Sequence, residues 1–338
     1  MRNNTRLLYT AFLAQVAQLN QVGDATLSFN VDPAVQQTLE QRTQESSEFL
    51  SRINMIGVEE LKGEKVGIGV SGTIASRTDT TGAGVRTPRD VGQLDANDYE
   101  CKQTDFDTAI RYSQLDAWAH RPEFQTLLRD AIVRRQALDR LLIGFNGVSA
   151  AATTNRATNP LLQDVNIGWL QQYRAHAPQR VMDEGQTAGK VVIGSGGTAD
   201  YKNLDALVYD AVSTLIDPWH RRDPGLVVVV GRNLLHDKYF PLVNDNQTPT
   251  EKLATDVILS QRRIGGLQAA EVPYCPDDAL FITTLDNLSL YWQRGGRRRY
   301  LKEEPEKNRV ANYEQSNDAY VIEDYGRGCL VEKIEIAE

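Results

Sequence analysis

The sequence predicts an α+β fold, with long helices and strand groups in separate parts of the chain. Three observations carry this. Residues 122–143 hold a long amphipathic stripe at helical spacing. Residues 63–112 alternate like strands, but glycine punctuates them and leaves one face light. Residues 194–282 read as α/β, and strand signals follow over 285–334.

Taken in order, residues 5–20 form an amphipathic helix, with Leu8, Phe12, Leu13, Val16 and Leu19 three or four apart. Gly23-Asp24 ends it. Such a short stripe fits a docked terminal helix or a partner-binding segment equally well. Residues 30–62 read as an extended arm with one helix, Pro33 to Met55, behind an Asp32 cap. In 63–112, Val66, Ile68 and Val70 alternate with Gly67 and Gly69. Thr78 to Gly84 is a loop tip, and alternation returns at Phe106, Thr108, Ile110 and Tyr112. This is a long two-stranded excursion. A lone hairpin is marginal in water, so it needs another surface to lie on.

Pro122 and Glu123 suit the start of the long helix. Phe124, Ala131, Ile132, Leu138, Leu141 and Leu142 belong to its apolar stripe, and Gly144 and Gly147 end it. Its length is about 33 Å at 1.5 Å per residue. A second helix carries Leu204, Leu207, Val208, Ala211, Val212 and Leu215 on one face. Leu226–Val230 is a continuous apolar run, the mark of a strand buried on both faces. Helices fit Arg232 to Phe240 and Thr250 to Arg262. Strands fit Leu288 to Trp292, Tyr320 to Ile322 and Leu330 to Ile334.

Composition narrows the function. The 338 residues suffice for about two domains. At 41% hydrophobic and 24% charged, the chain is not a mainly disordered one. A net charge of −8 argues against a phosphate-gripping protein. The strongest basic cluster, Arg294 with Arg297, Arg298 and Arg299, runs into Lys302, Glu303, Glu304 and Glu306. It reads as a solvated loop of mixed charge. Cys101, Cys275 and Cys329 are odd in number and widely spaced, so reduced thiols are expected. No apolar stretch approaches the roughly 18–20 residues of a membrane span. The N-terminal apolar residues are interrupted by Thr10, Gln15 and Gln18, unlike a secretory signal.

Catalytic motifs mostly fail on spacing. Gly194 to Ala199 fits G-x-G-x-x-A after Lys190–Ile193, a dinucleotide pattern. Polar residues separate it from the next helix, and the next clear strand ends at Val230-Gly231 with no ribose-binding acid. His120, His176, His220 and His236 make no HExxH or close pair. Gly69-Val-Ser-Gly72 brings its second glycine one place early for a nucleophile elbow, and Ser71 lies in the glycine-rich arm. No catalytic, metal or cofactor-binding residue is assigned.

Two runs carry a resemblance. They are Glu314 to Ile334 (EQSNDAYVIEDYGRGCLVEKI) and Arg135 to Gly147 (RQALDRLLIGFNG). With them, in order, come Gln44 to Asn54, Lys62 to Gly72, Asn159 to Asp164, Gly168 to Leu170 and Asp237 to Pro241. The set resembles the major capsid proteins of P2-like (peduovirus) tailed phages over nearly the whole chain.

The resemblance implies an HK97-like fold. Residues 1–29 would be an N-terminal segment removed on maturation, with processing at Phe29 and Asn30. Residues 30–62 would be the N-terminal arm and 63–112 the extended loop over a neighbour. Residues 113–194 and 283–338 would form the peripheral domain with its long spine helix, and 195–282 the axial domain. Implied partners are the chain itself as hexamers and pentamers, a scaffolding protein, a maturation protease and a portal. Packaged double-stranded DNA would lie near by non-specific proximity. No cofactor and no membrane is implied, and the location is the virion after assembly in the host cytoplasm. The alternatives are an encapsulin-like compartment shell and a nucleotide-dependent enzyme at Gly194–Ala199.

Overall fold

Helical spacing at the N-terminus produces α1 (Asn3–Leu19), as expected. The computed structural model describes residues 1–65, 68–70, 75–81, 84–87, 92–94, 97–118, 124–194, 196–197, 199–236, 238 and 262–337. The chain turns back from α1 into a two-residue strand, Phe29–Asn30, at one edge of a sheet. Asp32 then caps α2 (Pro33–Glu45), its carboxylate accepting from the Ala34 N–H at 2.9 Å.

The single helix expected from Pro33 to Met55 is broken. Ser46 turns its hydroxyl back to the Thr43 carbonyl at 2.8 Å, and Ser47 caps a new helix, α3 (Glu48–Arg52). Serine competes for backbone groups in this way, which favours helix ends. Met55 lies in strand Asn54–Val58.

Five of the first sheet's seven strands run in the order Phe29–Asn30, Arg298–Glu304, Arg309–Ile322, Leu288–Gln293, Asn54–Val58. Lys102–Asp105 and Thr108–Arg111 add to the long Arg309–Ile322 strand. The hairpin proper is Lys62–Lys65 against Asn97–Glu100 and Ile68–Val70 against Gly92–Leu94. The alternation at Thr108 and Ile110 therefore belongs to the sheet, and Tyr112 opens helix α4 (Tyr112–Trp118). Val66, Gly67, Ser71 and Gly72 lie outside the described residues.

The spine is α5 (Phe124–Asn146); Pro122 and Glu123 lie outside the described residues. Gly144 sits inside its last turn rather than ending it. A Cβ there would overlap the Trp169 ring, so the missing side chain lets α6 (Trp169–His176) pack close. The second sheet runs Arg263–Ile264, Leu267–Glu271, Leu226–Val230, Leu280–Thr284, Cys329–Val331, Val181–Met182. Leu226–Val230 is buried on both faces, as its composition implies. Val227 and Val229 face a core with Leu141, Phe145, Trp169 and Tyr320. Leu226, Val228 and Val230 face a core with Leu204, Leu207 and Ala211 of α7 (Leu204–Leu215). The first core also takes residues from the first sheet, so spine and strands share one apolar interior.

Residues 232–236 and 238 are helical, and the rest of the Arg232–Phe240 expectation lies outside the described residues. So does the helix expected over Thr250 to Arg262, apart from Arg262 itself. Cys329–Val331 pairs into the second sheet, and Ile334–Ile336 pairs with Val191–Ile193.

Candidate assembly site

Arm, spine and first sheet meet at a buried ionic joint. Helix α2 turns Gln36, Glu40 and Thr43 inward, one polar face at helical spacing. Helix α5 brings Gln136 and Arg140 to the same place. The Arg309–Ile322 strand alternates and sends Asn312, Glu314, Ser316 and Asp318 inward. Arg297 enters just before the neighbouring strand and is 1% exposed. The reading of the arginine cluster as a solvated loop is thus corrected. Arg298 and Arg299 lie in a strand, Arg297 is buried in the joint, and Arg294 and Arg298 remain exposed. Its partners lie too far away in sequence for a local charge pattern to reveal them.

Glu40 bridges both buried arginines. It accepts from Arg140 Nη1, from Arg140 Nη2 at 3.2 Å and from Arg297 Nη1 at 2.5 Å. Each arginine also has its own acid on the long strand. Arg140 reaches Asp318 through Nε at 3.1 Å and Nη2 at 3.3 Å. Arg297 reaches Glu314 through Nε at 2.8 Å and Nη2 at 2.5 Å, and Gln136 at 3.0 Å. Ser316 donates to Asp318 at 2.7 Å, and Arg299 donates to Asn312 at 2.7 Å.

Charge balance favours the ionised form of Glu314 and Glu40. Burial alone would raise the Glu314 carboxyl, but Arg297 and Arg299 outweigh it and draw it down to about 2. Glu40 is likewise held below its ordinary value against burial, by Arg140 and Arg297. At Asp318 burial wins over Arg140, and that carboxyl is raised. A network satisfied this fully specifies one geometry for α2 against α5.

The expected processing residues lie beside the joint. Phe29 is 8% exposed and packs with Val16, Ala25, Val31 and Leu301. Phe29 registers with Arg299 and Asn30 with Arg298, and the Val31 N–H donates to the Arg297 carbonyl at 2.9 Å.

Among the described residues, the glycine motif shows no phosphate cradle. Gly194 follows strand Val191–Ile193, and its bare Cα makes room for the Ala337 carbonyl. Helix α7 starts ten residues after Gly194, at Leu204, behind its own cap, Asn203, which accepts from the Ala206 N–H at 2.9 Å. Ser195 and Thr198 lie outside the described residues. Asp200 is engaged with the Gln186 and Val192 N–H groups.

The described histidines scatter: His176 lies by Tyr325, and His220 is 3.3 Å from Asp324. His120 lies outside the described residues. Among the described residues no cluster of His, Cys, Asp or Glu could hold a metal ion. All three thiols are free and buried, and desolvation pushes Cys101 up to about 12. A groove of about 1070 Å³ lies between α3, α5 and the Gln268–Asp278 segment. Its lining mixes Arg52, Arg134 and Arg232 with Glu48, Asp277 and Asp278, so no one charge sign selects a ligand.

A hairpin outside both main sheets, an arm helix clamped to a spine, and two sheets on a shared core fit a subunit that works through interfaces. Residues 8–334 match the family described as phage major capsid protein, P2 family, and the chain belongs to that family. It is 53% identical to the capsid proteins of Escherichia phage P2, across 100% of this chain and 96% of the relative. It is 44% identical to the major capsid protein of Serratia phage KSP20, across 100% and 99%. Among solved structures, it resembles a chain of the satellite phage P4 procapsid that includes the size determination (Sid) protein. The TM-score there is 0.82 at 49% identity, across 100% of this chain and 99% of that one. A chain from the capsid of an empty GTA particle gives 0.50 at 15% identity, across 86% and 90%, which speaks for the HK97-like fold alone. The chain is therefore a structural protein of the phage virion and not an enzyme. No helix among the described residues is long and apolar enough to cross a membrane.

Proposed function

We propose that the chain assembles as hexamers and pentamers into an icosahedral head around double-stranded DNA. Scaffolding protein, maturation protease and portal are the proposed partners. In this proposal residues 30–62 are the arm, 63–112 the loop, whose part outside the first sheet lies over a neighbour, 113–194 and 283–338 the peripheral domain, and 195–282 the axial domain. The strands at 329–331 and 334–336 tie the last segment back to residues 181–193 and 280–284.

The carrying observation is the hairpin. Its base is anchored, Tyr99 stacking edge-on against Tyr291 at 5.1 Å and the Cys101 N–H donating to the Leu61 carbonyl. Beyond the base, Ile68–Val70 and Gly92–Leu94 pair with each other. A two-stranded ribbon gains its stability from a surface it lies on, and a neighbouring subunit supplies one. The test replaces residues 66–96 with a short turn. Unchanged melting with lost shell formation is expected. Shells formed at normal yield by the shortened chain would remove the loop from assembly.

We assign processing to the Phe29–Asn30 bond, on the family resemblance and on the change there from a separately packed helix to the arm. Mature heads are expected to begin at Asn30, and intact mass settles it. Residues 1–29 still attached in mature heads would refute the assignment.

A further inference from the structure

We infer that residues 3–30 form a latch that opens as a unit, and that the docked latch shields the Phe29–Asn30 bond from proteolysis. The inference rests on the processing assignment only for its biological use; the latch stands on geometry. An endopeptidase binds substrate as an extended strand with free backbone groups and accessible side chains. Here Phe29 is buried, and its strand is already paired with Arg298–Arg299. The Leu301 N–H also donates to the Ala25 carbonyl at 3.4 Å. The bond can enter a protease cleft only after this edge strand leaves the sheet.

The latch is held at the start of α1, along the apolar face of α1, and at Asp32, whose N–H donates to Asn20 Oδ1 at 3.2 Å. At the start of α1, Arg6 pairs with Glu303 through Nη1 at 2.9 Å and Nη2 at 2.7 Å. Glu303 also accepts from the Tyr112 hydroxyl at 2.7 Å, and the Arg2 N–H donates to Asp116 at 2.9 Å. Further along the segment, Phe12, Leu13, Val16, Ala17 and Phe29 cover Leu301, Val35 and Leu39. The large cores do not include any residue of 1–30. The Glu40 joint fastens α2 independently, so opening the latch leaves the arm in place. Peripheral units with few buried contacts open locally, far below the cost of global unfolding.

The test is chymotrypsin, which cuts after Phe, acting on the full-length chain; mass spectrometry follows the fragment that begins at Asn30. Val16→Asp places a charge on the buried face of α1, and cleavage after Phe29 is expected to rise at least about tenfold. Arg6→Ala loses an exposed pair and should raise it only about two- to threefold. Leu7→Asp adds the same charge at a site 71% exposed and should leave the rate unchanged. Equal rates in wild type and Val16→Asp, or equal acceleration by Leu7→Asp, overturn the latch. The processing assignment is judged separately, by the N-terminus found in mature heads.

Discussion

Glu40→Gln tests the ionic joint most sharply. Glutamine keeps the shape of the side chain but removes the charge shared by Arg140 and Arg297. With Glu40 the acids Glu40, Glu314 and Asp318 balance Arg140, Arg297 and the half-buried Arg299; without it one positive charge is left over. Removing one partner of a buried pair costs about 3–5 kcal/mol when the other charge is stranded. Here each arginine keeps an acid on the long strand, which lowers the expected cost to about 2–3 kcal/mol. At an unfolding entropy of about 2.1 cal/mol/K per residue, this lowers the melting midpoint by roughly 3–4 °C. Arg140→Met should cost more, because it leaves Glu40 and Asp318 as like charges in the interior. Differential scanning calorimetry at neutral pH measures both. Lys190→Ala is the comparison, since its pair with Glu335 is exposed and worth under about 1 kcal/mol. A Glu40→Gln midpoint no lower than that of Lys190→Ala would refute the energetic role of the joint.

The other predictions follow from the same geometry. Glu314 ionises near 2 in the folded chain against an ordinary value of 4.5. Its contribution, roughly 3 kcal/mol, is complete above pH 4.5 and fades as pH falls toward 2. Asp318, raised in the folded state, works in the opposite sense and softens the loss. Melting curves over this range should slope less in Glu314→Gln than in wild type. Gly144→Ala pushes a methyl into the Trp169 ring and should cost about 1–3 kcal/mol by denaturant unfolding. The thiols of Cys101, Cys275 and Cys329 should react with a thiol reagent only slowly in the native chain and fast in denaturant.

The parts of the fold legible in sequence are those set by local rules. The Asp32-Pro33 start of α2, the α7 stripe and the Leu226–Val230 strand all follow from neighbours a few residues apart. What escaped depends on distant partners. Arg297 looks like one more surface charge until Glu40 and Gln136 are brought to it across more than 150 residues. A signal did exist: Gln36 with Glu40, and Gln136 with Arg140, are polar pairs four apart on helical faces that turn inward. The split at Ser46-Ser47 was also readable, since serine pairs mark helix ends more often than interiors. The hairpin was legible as an extended excursion, but the partner of residues 102–111 was not. Period-two alternation marks a strand without saying which strand it joins.

Electron microscopy of the particle fraction, from cells expressing the full chain with and without the proposed scaffolding protein, tests the central claim most directly. Closed shells, rings or open sheets built from this chain are expected. A small, discrete oligomer under both conditions would contradict self-assembly into a head.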